Sequence, residues 1–189
     1  MPVRWSVSLP MQGINNTLLF CQIIVGGILV LSSYAWALMK KDAEGLWGGV
    51  KWPCVRGAWA LSGLLTAIAF LYIAGVLLFD ESVVPDVDFT LINIAFAVIV
   101  WPAATWAPIT FMAIKRRESL IYVFVALMLV AMGSVGVLFC VAPLKSDILN
   151  ICAAMLIFQH LMLDHILWFI LFANWQYDES QRRELREYI

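Results

Sequence analysis

Residues Gly57 to Phe79 read GAWALSGLLTAIAFLYIAGVLLF, a run of 23 residues without a charge. About 20 apolar residues are enough for a helix to cross the hydrocarbon core of a bilayer. In lipid the backbone finds no water, so a single segment must satisfy its own N–H and C=O groups as a helix. The run therefore predicts a transmembrane helix.

Four more segments have the same length and apolar character. With the first they cover residues 17–38, 57–79, 89–114, 119–144 and 148–177. They predict an all-α polytopic membrane protein, a bundle of five transmembrane helices in one domain over residues 1–189. A short charged cytoplasmic tail is expected at 178–189. Because the connections are short, we expect consecutive helices to be antiparallel neighbours.

The overall composition excludes a soluble domain. Of the 189 residues, 63% are hydrophobic and 13% are charged, whereas soluble domains carry about 25% charged residues. A chain of this size cannot bury so much apolar surface in one core, so the excess must contact the lipid bilayer. The net charge of −1 gives no basis for a nucleic-acid partner.

The positive charges predict an orientation. Ten of the 12 Lys and Arg residues fall in the first connection, the third connection and the tail, which share one side of a five-span protein. The second connection is acidic, with Asp80, Glu81, Asp86 and Asp88. Since Lys and Arg are retained on the cytoplasmic side, the N terminus is expected outside and the C terminus in the cytoplasm. The same rule applies in several membranes, so it does not identify which one.

A cleaved signal peptide is the alternative for the first span. Ala35-Trp36-Ala37 has the ending of a cleavage site, and its use would leave four spans. Cleavage would also turn both basic connections outward, against the charge rule. We therefore predict five spans.

The fifth segment contains an unusual polar cluster. Asp164 is the only Asp, Glu, Lys or Arg well inside any span, near the middle of its helix, and Gln159, His160 and His165 lie close to it. A charge at this depth costs at least about 2.5–3.5 kcal/mol, so the carboxyl group must be paired, protonated or in contact with water.

Helical spacing predicts the partners of Asp164. His160 lies four residues earlier on the same face, and Trp168 lies four residues later and can donate its indole N–H. His165 is expected about 140° around the helix from His160, so the two histidines should not share one narrow site. One interpretation is a proton-responsive or cation-binding site in which His160 shares the proton of Asp164. The other is a neutral Asp164 that joins two helices by hydrogen bonds.

The third segment contains a proline near its centre. Pro102 removes a backbone donor and frees the Val98 carbonyl, which predicts a kink in this helix. Broken helices at one depth are how transporters build binding sites. The candidate pocket lining at this depth is Trp101, Pro102, Thr105, Trp106 and Trp168. The alternative is an ordinary kink packed against a neighbouring helix.

Neither a metal site nor an enzyme is indicated. His160 and Asp164 supply two ligands, and the only other histidine is His165. The sequence has no catalytic motif such as HExxH and no cofactor motif, so no cofactor is expected. A disulfide between Cys140 and Cys152, at the outer ends of the fourth and fifth helices, is compatible with the topology.

Two functions follow from these features. The simpler is a non-catalytic subunit or scaffold of a larger membrane assembly, with a membrane-protein partner or a second copy of the chain. Small residues would then form helix contacts, namely Ala58, Ser62 and Thr66 in the second helix and Gly133, Ser134 and Gly136 in the fourth. The alternative is a small-molecule-binding or proton-coupled transport or sensor bundle, with a midplane site around Asp164 and His160.

Overall fold

The computed structural model describes residues 9–40, 43–48, 50–80 and 88–187, and these form helices and short connections without a strand. The long helices are α1 (Leu9–Leu38), α2 (Pro53–Phe79), α3 (Phe89–Lys115), α4 (Leu120–Val141), α5 (Asp147–Ile157) and α6 (Phe169–Glu187). A π-helix, Phe158–Trp168, joins α5 to α6 without a break, and short 3-10 helices lie at Ala43–Trp47, Arg117–Ser119 and Ala142–Leu144. The predicted all-α class is confirmed.

Five of the described helices are long and apolar enough to cross a membrane. They are Thr17–Leu38, Pro53–Phe79, Phe89–Lys115, Leu120–Leu144 and Asp147–Asp178. The α1 helix begins at Leu9, eight residues before the predicted span, and α2 begins at Pro53 rather than Gly57. Proline is well suited to the first helical position, because its missing N–H would have no partner there. Glu81 and Asp86 of the predicted acidic connection lie outside the described residues.

The outer surface of the helices is apolar. Large side chains project outward from every span, among them Ile28, Leu64, Ile94, Phe139 and Ile151. Charged residues instead mark the two ends of the bundle. We call the end with Lys40, Lys51, Arg56, Lys115 and Arg116 the basic end, and the end with Asp80, Asp88 and Asp147 the acidic end. An apolar belt between charged ends suggests contact with a lipid bilayer.

The helices are not all packed in chain order. α3 packs against α1 and α4, as expected for the neighbours α3 and α4, and α5 packs against α4. However, α2 packs mainly against α5 and makes little contact with α1. The expectation that consecutive helices are always neighbours is wrong for α2. In lipid, polar contacts and close packing select helix partners, and the polar side chains of α2 find theirs on the fifth membrane-length helix.

Two glycines allow α3 and α4 to approach closely. A Cβ atom on Gly133 would lie 2.8 Å from the Ala95 carbonyl oxygen and 2.7 Å from a side-chain carbon of Ile99. One on Gly136 would lie 3.2 Å from the Ala95 Cβ. The predicted helix contact through the small residues of α4 is confirmed, and it lies within the chain.

The α3 helix runs unbroken through Pro102 and Pro108. The Thr105 hydroxyl lies 3.3 Å from the Trp101 carbonyl and 3.1 Å from the Pro102 carbonyl, so it bonds to its own helix. The predicted kink remains a prediction. Cys140 and Cys152 are free thiols, so the disulfide considered for them is not formed.

A short segment closes the basic end. Leu46, in the 3-10 helix Ala43–Trp47, is buried beside α3 and α6. Gly48 follows with a φ of 54°, and a Cβ there would lie 3.0 Å from the backbone of Phe172. The segment therefore sits directly on α6, and glycine is needed both for the left-handed backbone and for the close approach.

We predict that Gly133→Ala destabilises the bundle, whereas Gly75→Ala does not. Alanine favours a helix over glycine by about 1 kcal/mol at either position, but only at Gly133 does the new methyl group meet backbone atoms of α3. Such overpacking costs about 1–3 kcal/mol. A Cβ on Gly75 meets no described atom within 4 Å. Thermal unfolding of the purified variants in detergent measures the difference, and equal midpoints would contradict the close approach.

Candidate polar site on the fifth membrane-length helix

The predicted polar cluster coincides with the π-helix. Gln159, His160, Asp164 and His165 all lie within Phe158–Trp168. In a π-helix each N–H bonds to the carbonyl five residues back, and such segments are usually a single turn and often lie at functional sites. Here the segment has 11 residues. The backbone thus departs from α geometry where the sequence is most polar.

The five-residue spacing pairs Gln159 with Asp164. The Gln159 Nε2 atom donates to Asp164 Oδ1 at 2.8 Å. The α-helical spacing predicted from the sequence instead paired Asp164 with His160 and Trp168. The structure gives both residues other partners, Ser134 for His160 and the Leu46 carbonyl for Trp168.

Asp164 has a second donor on α2. Trp59 Nε1 donates to the same Oδ1 atom at 3.0 Å, and Ser62 donates to Gln159 Oε1 at 2.6 Å. Gln159 is buried and its two partners fix the amide orientation, since its oxygen must face the hydroxyl donor and its NH₂ the carboxylate. Two hydrogen bonds therefore join α2 to the π-helix, one from Ser62 to Gln159 and one from Trp59 to Asp164. Both donors to Asp164, Trp59 and Gln159, are neutral.

His160 bonds to α4 instead. Its Nδ1 atom lies 2.8 Å from Ser134 Oγ, and this hydroxyl also lies 2.8 Å from the Val130 carbonyl. A hydroxyl has one hydrogen, and the Val130 carbonyl can only accept it. When Ser134 donates to Val130, the hydrogen of the second contact must belong to His160 Nδ1. His160 then donates to Ser134 and takes no part in the hydrogen bonds that link Ser62, Gln159, Asp164 and Trp59.

His165 also faces α4. Its ring lies 4.8 Å from Phe124 and nearly parallel to Phe169 at 6.2 Å, measured between centroids. Its Nδ1 atom is buried and has no partner among the described side chains and backbone. Both histidines lie against α4, but they do not share one narrow site. They contact α4 at two levels, Phe124 and Ser134.

An aromatic row runs from this region to the basic end. Trp106 stacks on Tyr34 of α1 at 5.4 Å and meets Trp168 edge-on at 5.2 Å, and Trp168 stacks on Phe172 at 4.8 Å. The Trp168 indole donates to the Leu46 carbonyl at 2.8 Å. Trp168 thus holds the segment that closes the basic end.

The predicted pocket lining is only partly brought together. Trp106 and Trp168 are in contact, and Pro102 is half-buried. Trp101 and Thr105 are exposed on the outer face of α3. Sequence reasoning missed Trp59 and Tyr34 and assigned Ser62 and Ser134 to packing alone. The hydrogen bonds of Trp59, Ser62 and Ser134 depend on which helices become neighbours. The local sequence does not indicate those neighbours.

Depth along α2 places Asp164 closer to the basic end than to the acidic end. Its donor Trp59 lies six residues after Pro53, which is about 9 Å along a helix. Ser134, the partner of His160, lies 14 residues after Leu120, or about 21 Å from the same end. The polar site therefore extends from the basic half of the bundle to its centre.

Within the described part of the chain, no group of three or more His, Cys, Asp or Glu residues is placed to hold a metal ion. Comparison of the chain with protein-family models, with curated proteins and with solved structures finds no match.

We predict that Gln159→Leu destabilises the bundle by about 1–2 kcal/mol, from two hydrogen bonds within membrane-length helices. The matched control is Gln22→Leu in α1, because the buried Gln22 Oε1 has no partner among the described residues. Unfolding of both variants in mixed detergent micelles measures the loss. An equal effect at Gln22 would show that the Gln159 bonds contribute nothing.

Proposed function

We propose that the chain is an integral membrane protein whose bundle binds a small ligand at Asp164, and that its C terminus is cytoplasmic. The five apolar helices and their exposed apolar side chains support the membrane location. The concentration of Lys and Arg at the basic end supports the orientation. A ligand at Asp164 would lie within the bundle, between α2 and the π-helix.

The observation that carries this proposal is a carboxylate in apolar surroundings whose donors among the described residues are all neutral. Trp59 and Gln159 both donate to Oδ1, and neither neutralises a negative charge. A charged group in a membrane helix is costly unless it is paired or reaches water, and such groups mark ligand and ion pathways. Asp164 therefore lacks the opposite charge that a proton or a bound cation would supply.

The π-helix supports the same proposal. Its i to i+5 hydrogen bonds bring Gln159 beside Asp164 and turn both histidines towards α4. Extended π-helical geometry is rare, and segments of this kind occur often at functional sites.

A subunit or scaffold role is the second candidate. It is favoured by α1, which exposes many large apolar side chains, and by glycines with open space beside them, namely Gly27, Gly57, Gly63 and Gly75. A partner helix would fit against such positions. Gly133, Ser134 and Ser62, which the sequence suggested for association, are engaged within the chain, so we place this role second.

We predict that Asp164→Asn stabilises the bundle at pH 8 and removes ligand binding. Asparagine keeps an oxygen that accepts from Trp59 and Gln159, but it removes a charge, and a charge in a membrane helix is costly. A gain of 1 kcal/mol raises the unfolding midpoint by about 2–4 °C in a protein of this size. Asp147→Asn, at the exposed start of α5, is the control.

The binding part of this prediction is measured by mass spectrometry of small molecules that co-purify with each protein from its native membrane. We expect at least one that is retained by the wild type and by Asp147→Asn and lost from Asp164→Asn. If Asp164→Asn lowers stability and the co-purified molecules are the same, Asp164 is a structural contact and the proposal is wrong.

The orientation gives a separate prediction. Cys54 is exposed beside Lys51 and Arg56, so a membrane-impermeant maleimide should label it only after the cells are permeabilised. In a Cys54→Ser background, Asp147→Cys at the acidic end should be labelled in intact cells. The reverse pattern would place the basic end outside and overturn the orientation.

A further inference from the structure

Arg56, in the first turn of α2, is held at two points by the residues that precede this helix. Its Nε atom donates to the Val50 carbonyl at 2.6 Å, and its Cζ atom lies 5.6 Å from the centre of the Trp47 ring. Both partners are fixed in turn, since Val50 is buried and Trp47 adjoins Leu46, whose carbonyl accepts from Trp168. The guanidinium group therefore has a set position before any ligand arrives.

The rest of this guanidinium group is available for an anion. Arginine has five N–H donors in a planar fork, and Arg56 uses the one on Nε. The four on its terminal nitrogens have no acceptor within the described part of the chain. Two terminal nitrogens match two oxygens of one phosphate group, which arginine binds through parallel hydrogen bonds.

The charges at the start of α2 also favour an anion. The N-terminal end of a helix carries a partial positive charge, to which α2 adds Arg56 in its first turn and Lys51 just before it. The first turn has no acidic residue, and the N-cap residue, Trp52, gives no side-chain hydrogen bond. By contrast, α3 and α5 begin at Asp88 and Ser146, whose side chains accept from backbone N–H groups. Positive charge at this end of α2 is unfavourable unless an anion neutralises it.

The depth of Arg56 indicates the source of the anion. α2 has 27 residues and is about 40 Å long, whereas the hydrocarbon core of a bilayer is about 30 Å thick. The first turn of a helix centred in the bilayer therefore lies at the boundary with the lipid headgroups. Trp52 is 71% exposed at this end, as expected for tryptophan at the membrane interface. The abundant anion at this level is the phosphate of a phospholipid.

We propose that Arg56 binds the phosphate of an anionic phospholipid in the leaflet at the basic end, through hydrogen bonds from its two terminal nitrogens. Lys51 adds a second positive charge beside the phosphate. In the proposed orientation this is the cytoplasmic leaflet, where anionic lipids are concentrated. The inference rests on the membrane location in the proposed function, and it does not depend on a ligand at Asp164.

The test uses the full chain in micelles of a neutral detergent and two probes that differ in the phosphate group, dioleoylphosphatidic acid and dioleoylglycerol. Native mass spectrometry counts the lipid molecules retained and gives an apparent Kd. We expect one molecule of phosphatidic acid to bind more tightly than any further ones, and dioleoylglycerol to show no such site. Inorganic phosphate is the third probe, and binding as tight as that of phosphatidic acid would overturn the assignment to a lipid.

Substitutions separate Arg56 from the general positive charge of the basic end. Arg56→Gln should weaken binding of phosphatidic acid roughly 10- to 100-fold, the factor that corresponds to charged hydrogen bonds. Arg56→Lys keeps the charge without the planar fork and should recover only part of the affinity. Arg116→Gln, an equal loss of charge at an exposed position of the same end, is the control. Equal losses at Arg56 and Arg116 would contradict a specific site.

A second variant keeps the inference testable when Arg56→Gln does not fold. Trp47→Leu removes the ring that supports the guanidinium group but leaves every charge in place. It should weaken binding of phosphatidic acid roughly 2- to 5-fold, the factor for one exposed cation–π contact. Trp101→Leu, at an exposed tryptophan within α3, is its control. If Trp47→Leu and Trp101→Leu bind the lipid alike, Arg56 is not held in place for it and the inference is wrong.

The outcomes are distinct from those for the proposed function. If phosphatidic acid binds no better than dioleoylglycerol, this inference is wrong. Ligand binding at Asp164 still stands in that case when a co-purified molecule is lost from Asp164→Asn. If the chain is recovered from the soluble fraction of its cells, both are wrong.

Discussion

A carboxylate surrounded by apolar helices must obtain its hydrogen bonds from the protein, and Asp164 obtains them from two places. Gln159 supplies one through the spacing of the π-helix, and Trp59 supplies the other across the contact with α2. Ser62 then holds Gln159 in position. This polar contact lies where α2 packs against the fifth membrane-length helix. That pairing departs from the order of the helices in the chain. In lipid such a contact has few competitors, because most of the remaining helix surface is apolar.

The helices could be predicted from the sequence, whereas the contacts of the polar site could not. Hydropathy is a property of each segment alone, so the span around Gly57–Phe79 is recognisable without its neighbours. The π-helix depends on partners such as Trp59 and Ser62, which lie about a hundred residues away in the chain. The predicted polar residues all lie in the π-helix, but the partners expected from α-helical spacing differ from those in the structure. Close packing at Gly133 was recognisable because glycine next to serine in an apolar helix has few other uses.

The arrangement also bears on the choice between a binding protein and a scaffold. Residues that could have served association, such as Ser134 and Gly133, contact α3 and the π-helix instead. What remains outside is an apolar surface, which lipid can cover without a specific partner. The interior, by contrast, keeps a carboxylate with neutral donors and a Trp106 N–H that finds no acceptor in the described part of the chain. These two polar groups lie within the bundle, and this position favours the proposed small ligand over a second protein as their partner.

The π-helix has a consequence for changes in chain length. A residue deleted from α4 would rotate every later side chain by about 100°, and Gly133 would no longer meet α3. Within residues 158–168, the same deletion can be absorbed when one turn returns to α geometry, because an i to i+5 ladder contains the surplus residue. A single deletion would therefore be tolerated better within this segment than within the α-helical part of a span. Its chemistry can vary between descendants of this chain while the other four helices keep their register.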